Sequence, residues 1–185
     1  VNCAINSVVE QTRPPDELLL LRDGPVPQLL QEDLDRWSSD NQYIKLVEFE
    51  ENRGIAATLR DGVEMASYEI IARMDADDIS VDERFEKQIS FLKKNPDVDI
   101  VGGWIEEFSV EGQSGVRKVP RDHDSISEFA ERRSPMNHVT AMMRRDSVLN
   151  AGNYRQMEPT EDYDLWMRML LNGATFANIP EVLVR

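Results

Sequence analysis

The amino-acid sequence predicts a single α/β domain in which helices flank a mostly parallel central sheet. In residues 1–104, segments with apolar residues at helical spacing alternate with short apolar segments, which is typical of a sheet with crossover helices. One short segment, Glu17–Leu21, is almost continuously apolar, as in a parallel strand buried on both faces. The length of 185 residues suits one domain, and we find neither an internal repeat nor a linker.

The first half of the chain contains four predicted helices and four predicted strands in alternation. Apolar residues three and four positions apart identify the helices, and a Ser80–Glu83 pair predicts a capping box at the start of the fourth. The inward-facing residues of these helices are Ala4, Ile5, Val8 and Val9; Leu30, Leu34 and Trp37; Ala56, Leu59, Val63 and Ala66; and Phe85, Ile89 and Leu92. The predicted strands are Glu17–Leu21, Tyr43–Phe49, Tyr68–Met74 and Val98–Trp104.

The second half is less regular, and its predicted elements are shorter. Residues 109–135 indicate a strand pair or a loop around Gly112 and Gly115, followed by a helix. The elements predicted from there onward are a helix near Ser125–Arg132, an alternating segment Asn137–Arg145, a short helix capped by Asp146, a helix Asp162–Leu171 ended by Gly173, and a strand Ala174–Asn178.

The charge of the chain excludes some classes of partner. There are 35 Asp and Glu residues against 21 Lys and Arg residues, which gives a net charge of -14. Such a surface repels phosphate backbones and anionic membranes, so we expect no nucleic-acid partner. An acidic protein that binds a phosphorylated ligand requires a metal ion or helix N-termini at the site. The single cysteine, Cys3, excludes an internal disulfide and favours a reducing, cytoplasmic compartment.

Three carboxylates, Asp75, Asp77 and Asp78, follow directly after the third predicted strand. Carboxylates this close raise one another's pKa unless a cation joins them. Mg²⁺ or Mn²⁺ accepts one or two such oxygens and leaves coordination positions open for phosphate. A solvated turn is the alternative interpretation, but ligands of α/β sheets bind at the carboxyl ends of strands, where this cluster is expected to lie.

Other candidate residues have a structural and a functional interpretation. Asp23 closes the first strand, where it either belongs to an Asp-Gly turn or accepts hydrogen bonds from a nucleotide. Arg53 lies in a helix-starting turn and is suited to a diphosphate. Glu161 and Asp162 are typical of a helix N-terminus, and one of them is suited to a general base. His138 is one of two histidines, and a structural role is the commoner one.

Taken together, six segments of the chain resemble the family 2 glycosyltransferases of the GT-A fold. The likeness is strongest to bacterial enzymes of exopolysaccharide and lipopolysaccharide assembly, of the amylovoran-biosynthesis type, and it covers essentially the whole chain. The segments that carry it are Ala4-Ile5-x-Ser7-Val8-x-x-Gln11-Thr12, Pro15-x-Glu17-Leu18, Asp23-Gly24, Asn52-x-Gly54, Asp75-Ala76-Asp77-Asp78 and Glu161-Asp162.

The resemblance implies an inverting transfer of a sugar from a nucleotide-diphosphate donor, with a UDP-sugar favoured, to a saccharide or lipid-linked acceptor. Residues 1–104 would then form the nucleotide-binding half of a GT-A domain, and residues 105–185 the acceptor-side half. The implied roles are nucleotide-sugar binding for Asp23, Asn52, Arg53, Asp75, Asp77 and Asp78, metal binding for Asp75 and Asp77 with Mg²⁺ or Mn²⁺, catalytic base for Asp162, and acceptor contact for His138 and Glu161.

The resemblance also implies a truncated domain. The chain begins after the first strand of the family, which usually ends in Pro-x-Tyr-Asn, and a late metal-binding histidine would lie beyond Arg185. Peripheral membrane association would then run through regions that this chain does not contain.

Two other functional classes stay open on the sequence alone. A sugar-nucleotide nucleotidyltransferase has a similar layered plan, but it normally opens with a glycine-rich, basic phosphate loop that this sequence does not show. A non-catalytic nucleotide-sugar-binding domain of the same fold is the second.

Overall fold

A computed structural model describes residues 1–108, 114–157 and 159–185. The helices within these ranges are α1 Asn2–Val9, α2 Gln28–Asp40, α3 Ile55–Met65, α4 Arg84–Lys94, α5 His123–Ala130, α6 Arg145–Asn150 and α7 Glu161–Leu171, with a 3₁₀ turn at His138–Thr140. The strands are β1 Leu18–Asp23, β2 Ile44–Phe49, β3 Ile70–Ala72, β4 Ile100–Phe108, β5 Ser114–Arg117, β6 Met142–Arg144 and β7 Phe176–Val184. None of these helices combines the length and apolar character that a membrane crossing requires.

The strands form two sheets with mixed pairing. Strands β1 and β2 pair in parallel as a separate two-stranded sheet. In the five-stranded sheet, β4 pairs in parallel with β7 and antiparallel with β5 and β6, and β3 joins antiparallel to β6. The α/β class is therefore as predicted, with parallel pairing at β1–β2 and β4–β7, while the short strands of the second half add antiparallel pairs.

Strand β4 separates two apolar layers. Its consecutive residues Ile100 and Val101 are both fully buried but belong to different core clusters, since successive strand side chains point to opposite faces. The first cluster contains Met143, Leu165, Trp166, Met169 and Phe176, among others. The second contains Val8, Phe85, Leu92, Met142 and Leu183, among others. The sheet thus lies between α6–α7 on one side and α1 with α4 on the other.

Several predicted elements differ from the structure. The segment predicted as a buried strand forms β1, but all six of its residues are only half-buried, because this strand belongs to a narrow two-stranded sheet. Strand β3 is only three residues long. Helix α6 starts at Arg145, so Asp146 lies in its first turn and does not cap it. The last strand continues to Val184, and Gly112 lies outside the described residues.

The predicted capping box at Ser80 and Glu83 is wrong. Ser80 forms an isolated antiparallel bridge with Val184, and its backbone N–H donates to Oγ of Ser7 at 3.0 Å. Its neighbour Ile79 exchanges two backbone hydrogen bonds with Arg185, at 2.7 and 2.8 Å. Pairing with the end of β7 therefore holds this segment extended, and α4 starts only at Arg84 without a side-chain cap.

A fully buried arginine connects α4 to the segment that follows β3. Nε of Arg84 donates to Oε1 of Gln88 at 3.0 Å, Nη1 donates to Oγ of Ser80 at 3.0 Å, and Nη2 donates to the carbonyl oxygen of Arg73 at 2.8 Å. Gln88 in turn donates to the carbonyl oxygens of Val101 and Thr140. Burial, with the nearby charge of Arg73, lowers the pKa of Arg84 to about 9. These bonds fix residues 73–80 relative to the main sheet.

The close approach of β4 and β7 predicts a stability effect at Gly103. A Cβ atom added there would lie 2.4 Å from Cδ1 of Leu183 and 3.2 Å from the carbonyl oxygen of Glu181. We expect Gly103→Ala to lower the free energy of unfolding by about 1–3 kcal/mol, the usual cost of overpacking. Urea denaturation measures it.

Gly115→Ala on the exposed strand β5 is the matched control, because no atom of the described residues lies within 4 Å of its added Cβ. Its effect should stay within about 0.5 kcal/mol. Equal losses of unfolding free energy in the two variants would show that the close contact with Leu183 is not the reason why position 103 requires glycine.

Candidate active site

The carboxylates of Asp75, Asp77 and Asp78 converge just beyond the end of β3. Each contributes an oxygen that lies within 4.8 Å of the oxygens of the other two. Asp75 and Asp78 are half-buried and Asp77 is exposed. Three oxygen donors at this spacing, with one side open to solvent, suit a hard divalent cation that keeps positions for a further ligand. The structure thus brings together the two predicted metal ligands, Asp75 and Asp77, with Asp78 beside them.

The electrostatics of this acid cluster favour a cation. Burial raises the pKa of Asp75, the charge of Asp77 raises it further, and Arg73 opposes both. Burial also raises the pKa of Asp78, and the charges of Asp75 and Asp77 add to the increase. Because the ionised cluster is unfavourable by itself, a bound cation would relieve both the burial cost and the mutual repulsion.

Arg73 is a residue of this site that sequence reasoning did not identify. Its side chain is buried, and Nη2 forms an ion pair with Oδ1 of Asp75. A basic residue two positions before an acidic cluster, within a strongly acidic chain, is the signal that would have pointed to it.

Asp23 connects the end of β1 to the start of α3. Its Oδ1 accepts the backbone N–H of Arg53 at 2.9 Å, and its Oδ2 accepts the backbone N–H of Gly54 at 2.9 Å. Gly54 has a φ of 86°, a conformation that other residues rarely adopt. Asn52 is exposed, and its Oδ1 also accepts the N–H of Gly54, at 3.2 Å. Both oxygens of Asp23 therefore already have protein partners.

Arg53 is held at the edge of the same loop. Its Nη1 donates to Oδ2 of Asp61 at 2.8 Å, and its guanidinium lies 3.6 Å from the centroid of the Phe49 ring. Its Nε and Nη2 are buried without a partner among the described residues. Within the described ranges, no hydrogen bond or ion pair joins this loop to the acid cluster, so the predicted site residues form two separate groups.

Helix α7 supplies the second pair of predicted acids. Asp162 is half-buried, and its Oδ2 accepts a hydrogen bond from Oγ of Ser134 at 3.3 Å. Glu161 is only 8% exposed, and its Oε2 has no partner among the described residues. Acids in the first turn of a helix are stabilised by its dipole. No hydrogen bond or ion pair within the described ranges involves the other oxygen of Asp162.

His138 pairs with Tyr154, which sequence reasoning also missed. Nε2 of His138 lies 2.8 Å from Oη of Tyr154, and the imidazole packs edge-on against Trp166 with ring centroids 5.6 Å apart. Burial lowers the pKa of His138, and the charge of Arg73 adds to the decrease. Burial also raises the pKa of Tyr154. Tyr154 is buried and His138 is half-buried, so the pair consists of two neutral rings at the edge of the core, and no motif around Tyr154 indicates this.

Charged groups from both predicted sites act on the Tyr154 hydroxyl. Besides burial, its pKa responds to the charges of Arg73, Asp162, Glu161 and Asp75. Contacts also connect the two regions. Arg73, which is paired with Asp75, donates its backbone N–H to the carbonyl oxygen of Ala141 at the end of the 3₁₀ turn, and His138 of that turn packs against Trp166 of α7.

The profile of the family described as "Glycosyl transferase family 2" matches residues 2–152. The amylovoran biosynthesis glycosyltransferase AmsE of Erwinia amylovora is 36% identical over 181 residues, which cover 98% of this chain and 68% of the relative. An Escherichia coli UDP-Gal:alpha-D-GlcNAc-diphosphoundecaprenol beta-1,3-galactosyltransferase is 35% identical over 184 residues, which cover 98% of this chain and 66% of the relative. The chain thus spans about two thirds of the length of these relatives.

Two solved structures have a similar fold. S. aureus TarS in complex with UDP matches with a TM-score of 0.77 and 16% identity, covering 100% of this chain and 55% of that one. The mannosyltransferase PcManGT of Pyrobaculum calidifontis, in complex with GDP-Man and Mn²⁺, matches with a TM-score of 0.71 and 18% identity, covering 97% of this chain and 50% of that one. These likenesses confirm the expected GT-A fold.

The raised pKa of Asp78 predicts an unusual stability effect. A carboxyl whose pKa is higher in the folded state than its ordinary value of 3.8 binds its proton more tightly in the folded state. Above pH 3.8, ionisation of this carboxyl therefore lowers the free energy of unfolding. Without metal, Asp78→Asn should therefore have a higher urea midpoint than the wild type at pH 7. The difference should disappear as the pH falls below about 3.8, where both states are protonated.

Asp97→Asn, at an exposed position before β4, is the control and should leave the urea midpoint unchanged. A lower midpoint for Asp78→Asn at pH 7 would show that the Asp78 carboxylate stabilises the metal-free fold, and the repulsion within the cluster would then not be the dominant effect.

Proposed function

The chain belongs to glycosyl transferase family 2, and on that premise we propose that it transfers a sugar from a nucleotide-diphosphate donor to an acceptor hydroxyl with inversion at the anomeric carbon. One observation carries the proposal. A carboxylate cluster suited to a cation is connected through Arg73 to the turn that contains His138, and His138 packs against α7, whose first turn carries the separate carboxylate of Asp162. A diphosphate site beside a general base is the arrangement that such a transfer requires.

The nature of the substrates is inferred from the relatives. TarS was solved with UDP, PcManGT with GDP-Man, and the E. coli relative is named for UDP-Gal and a diphosphoundecaprenol acceptor. We therefore infer a nucleotide-diphosphate sugar, with UDP-sugars first, and a saccharide or lipid-linked acceptor in polysaccharide or lipopolysaccharide synthesis. Residues 1–104 would bind the nucleotide, with Asp23, Asn52 and Arg53 near it, and residues 105–185 would face the acceptor. The single cysteine favours a cytoplasmic location.

Asp75 and Asp77 would hold a divalent cation, with Asp78 beside them. Their oxygens are close enough together for one ion, and the raised pKa of Asp75 fits a group that is stabilised by positive charge. A bound Mg²⁺ or Mn²⁺ would supply positive charge to the diphosphate leaving group. PcManGT, which shares the fold, was solved with Mn²⁺.

Asp162 would remove the proton of the acceptor hydroxyl. As the acceptor oxygen bonds to the anomeric carbon, the bond from that carbon to the diphosphate oxygen breaks, and the electron pair leaves with the diphosphate. The proton passes to the Asp162 oxygen that Ser134 does not occupy. A single displacement of this kind inverts the anomeric carbon without a covalent intermediate. His138 and Glu161 would border the acceptor.

Family membership does not favour the nucleotidyltransferase alternative. A non-catalytic nucleotide-sugar-binding domain is the remaining alternative, and turnover separates it from a transferase. To test the proposal, UDP and GDP are titrated with and without Mn²⁺, and donor hydrolysis and acceptor transfer are then assayed. Nucleotide binding without any hydrolysis or transfer would favour the binding domain.

The role of Asp162 predicts a loss of turnover without a loss of donor binding. Asp162→Asn keeps the size of the side chain but cannot accept the proton, so we expect kcat to fall by about 10²–10⁴-fold, as for other lost general bases. Calorimetry should give an unchanged donor Kd. Asp124→Asn, an exposed acid in the first turn of α5, should have wild-type kcat. Wild-type turnover of Asp162→Asn would refute the assignment.

The role of Asp77 predicts that donor binding loses its metal dependence. Asp77 is exposed, so Asp77→Ala should fold normally, but it removes one of the cluster's carboxylates. We expect UDP or GDP affinity in Mn²⁺ to fall to the level measured with chelator. Asp97→Ala should keep the difference between Mn²⁺ and chelator. If Mn²⁺ still strengthens nucleotide binding to Asp77→Ala as it does in the wild type, the metal assignment is wrong.

A further inference from the structure

The backbone of Arg73 is held from two sides just after β3. Its N–H donates to the carbonyl oxygen of Ala141 at 3.0 Å, which extends the β3–β6 pairing by one bond. Its carbonyl oxygen accepts from Nη2 of Arg84 at 2.8 Å. Because Arg84 is fully buried and also bonded to Gln88 and Ser80, the position of Arg73 does not depend on its own side chain.

The guanidinium of Arg73 forms an ion pair with the acid cluster. Nη2 forms the ion pair with Oδ1 of Asp75, while no described residue donates to the other oxygen, Oδ2. The same positive charge acts on the pKa values of His138 and Tyr154. Arg73 therefore fixes one oxygen of Asp75 and leaves the second without a donor among the described residues.

A buried donor of Arg73, Nε, has no hydrogen-bond partner among the described residues, and the side chain is only 7% exposed. A buried N–H without an acceptor is unfavourable, and nearly all such groups in folded proteins have a hydrogen-bond partner. Arg84 provides the contrast, since its Nε, Nη1 and Nη2 all donate to protein atoms. An oxygen of a bound ligand would satisfy the free donor of Arg73.

We propose that Arg73 is a positioning residue for the donor diphosphate, because it orients Asp75 through Oδ1 and offers its free N–H to a diphosphate oxygen. The inference deepens the proposed function and depends on it. A diphosphate is the ligand that fits best, since it brings both negative charge and several acceptor oxygens to a guanidinium. Arginine is better suited to this than lysine, because its donors are fixed in one plane.

The test compares diphosphate and monophosphate binding in the intact protein. UDP, UMP, GDP and GMP are titrated by calorimetry in Mn²⁺ into wild type, Arg73→Met, Arg73→Lys and Arg144→Met. Arg144 is a matched control, because its side chain bonds the carbonyl oxygens of Val98 and Pro96 away from the site. Thermal melting of each variant verifies folding, and Arg73→Lys keeps the charge should Arg73→Met fail to fold.

We expect Arg73→Met to weaken diphosphate binding by about 10–100-fold, as for the loss of a charge-assisted hydrogen bond, while monophosphate binding changes by less than about threefold. Arg73→Lys should recover part of the loss, and Arg144→Met should bind as the wild type does. A merely structural role would lower both affinities together.

Equal changes for diphosphate and monophosphate, or none, would overturn the role of Arg73 and leave the proposed function standing. A wild-type protein that binds neither diphosphate in Mn²⁺ would overturn the proposed function and this inference with it.

Discussion

The mutual repulsion of three carboxylates, held close together in a half-buried turn, is the constraint around which this site is built. Asp75, Asp77 and Asp78 would separate if the chain were free to move. They stay together because the fold fixes the segment on both sides, through Arg84 and through pairing with the end of β7. The free energy that holds the three carboxylates together comes from the packing of the core and not from contacts among the carboxylates. The acids are thus presented ready for a cation, at a cost in stability.

The local parts of this architecture could be predicted from the sequence. The alternation of helices and strands was visible because each element carries its own periodicity. The acid cluster was visible because its members are neighbours in the chain. The GT-A fold required the order of six loose motifs, since no single one of them is specific.

The missed parts depend on contacts between residues far apart in the chain. Tyr154 pairs with His138 on another element, which no spacing in the sequence indicates. The burial of Arg73 likewise comes from the tertiary structure, although its position two residues before the acid cluster is visible in the sequence. The capping box at Ser80 failed for a related reason. The local pattern was present, but pairing with Val184 imposed an extended backbone and overrode it. Asp23 shows an ambiguity of a different kind. Its two oxygens accept the backbone N–H groups of Arg53 and Gly54, a structural role that the sequence could not distinguish from nucleotide binding.

The pairing of Ile79 and Arg185 has a consequence for the order in which the protein forms. Residues immediately after the acid cluster reach their final conformation only when the end of β7 lies beside them, more than 100 residues later in the chain. Contacts between residues so far apart in the sequence form late in folding, because each of them closes a long loop. Chains still emerging from the ribosome would therefore lack an assembled acid cluster.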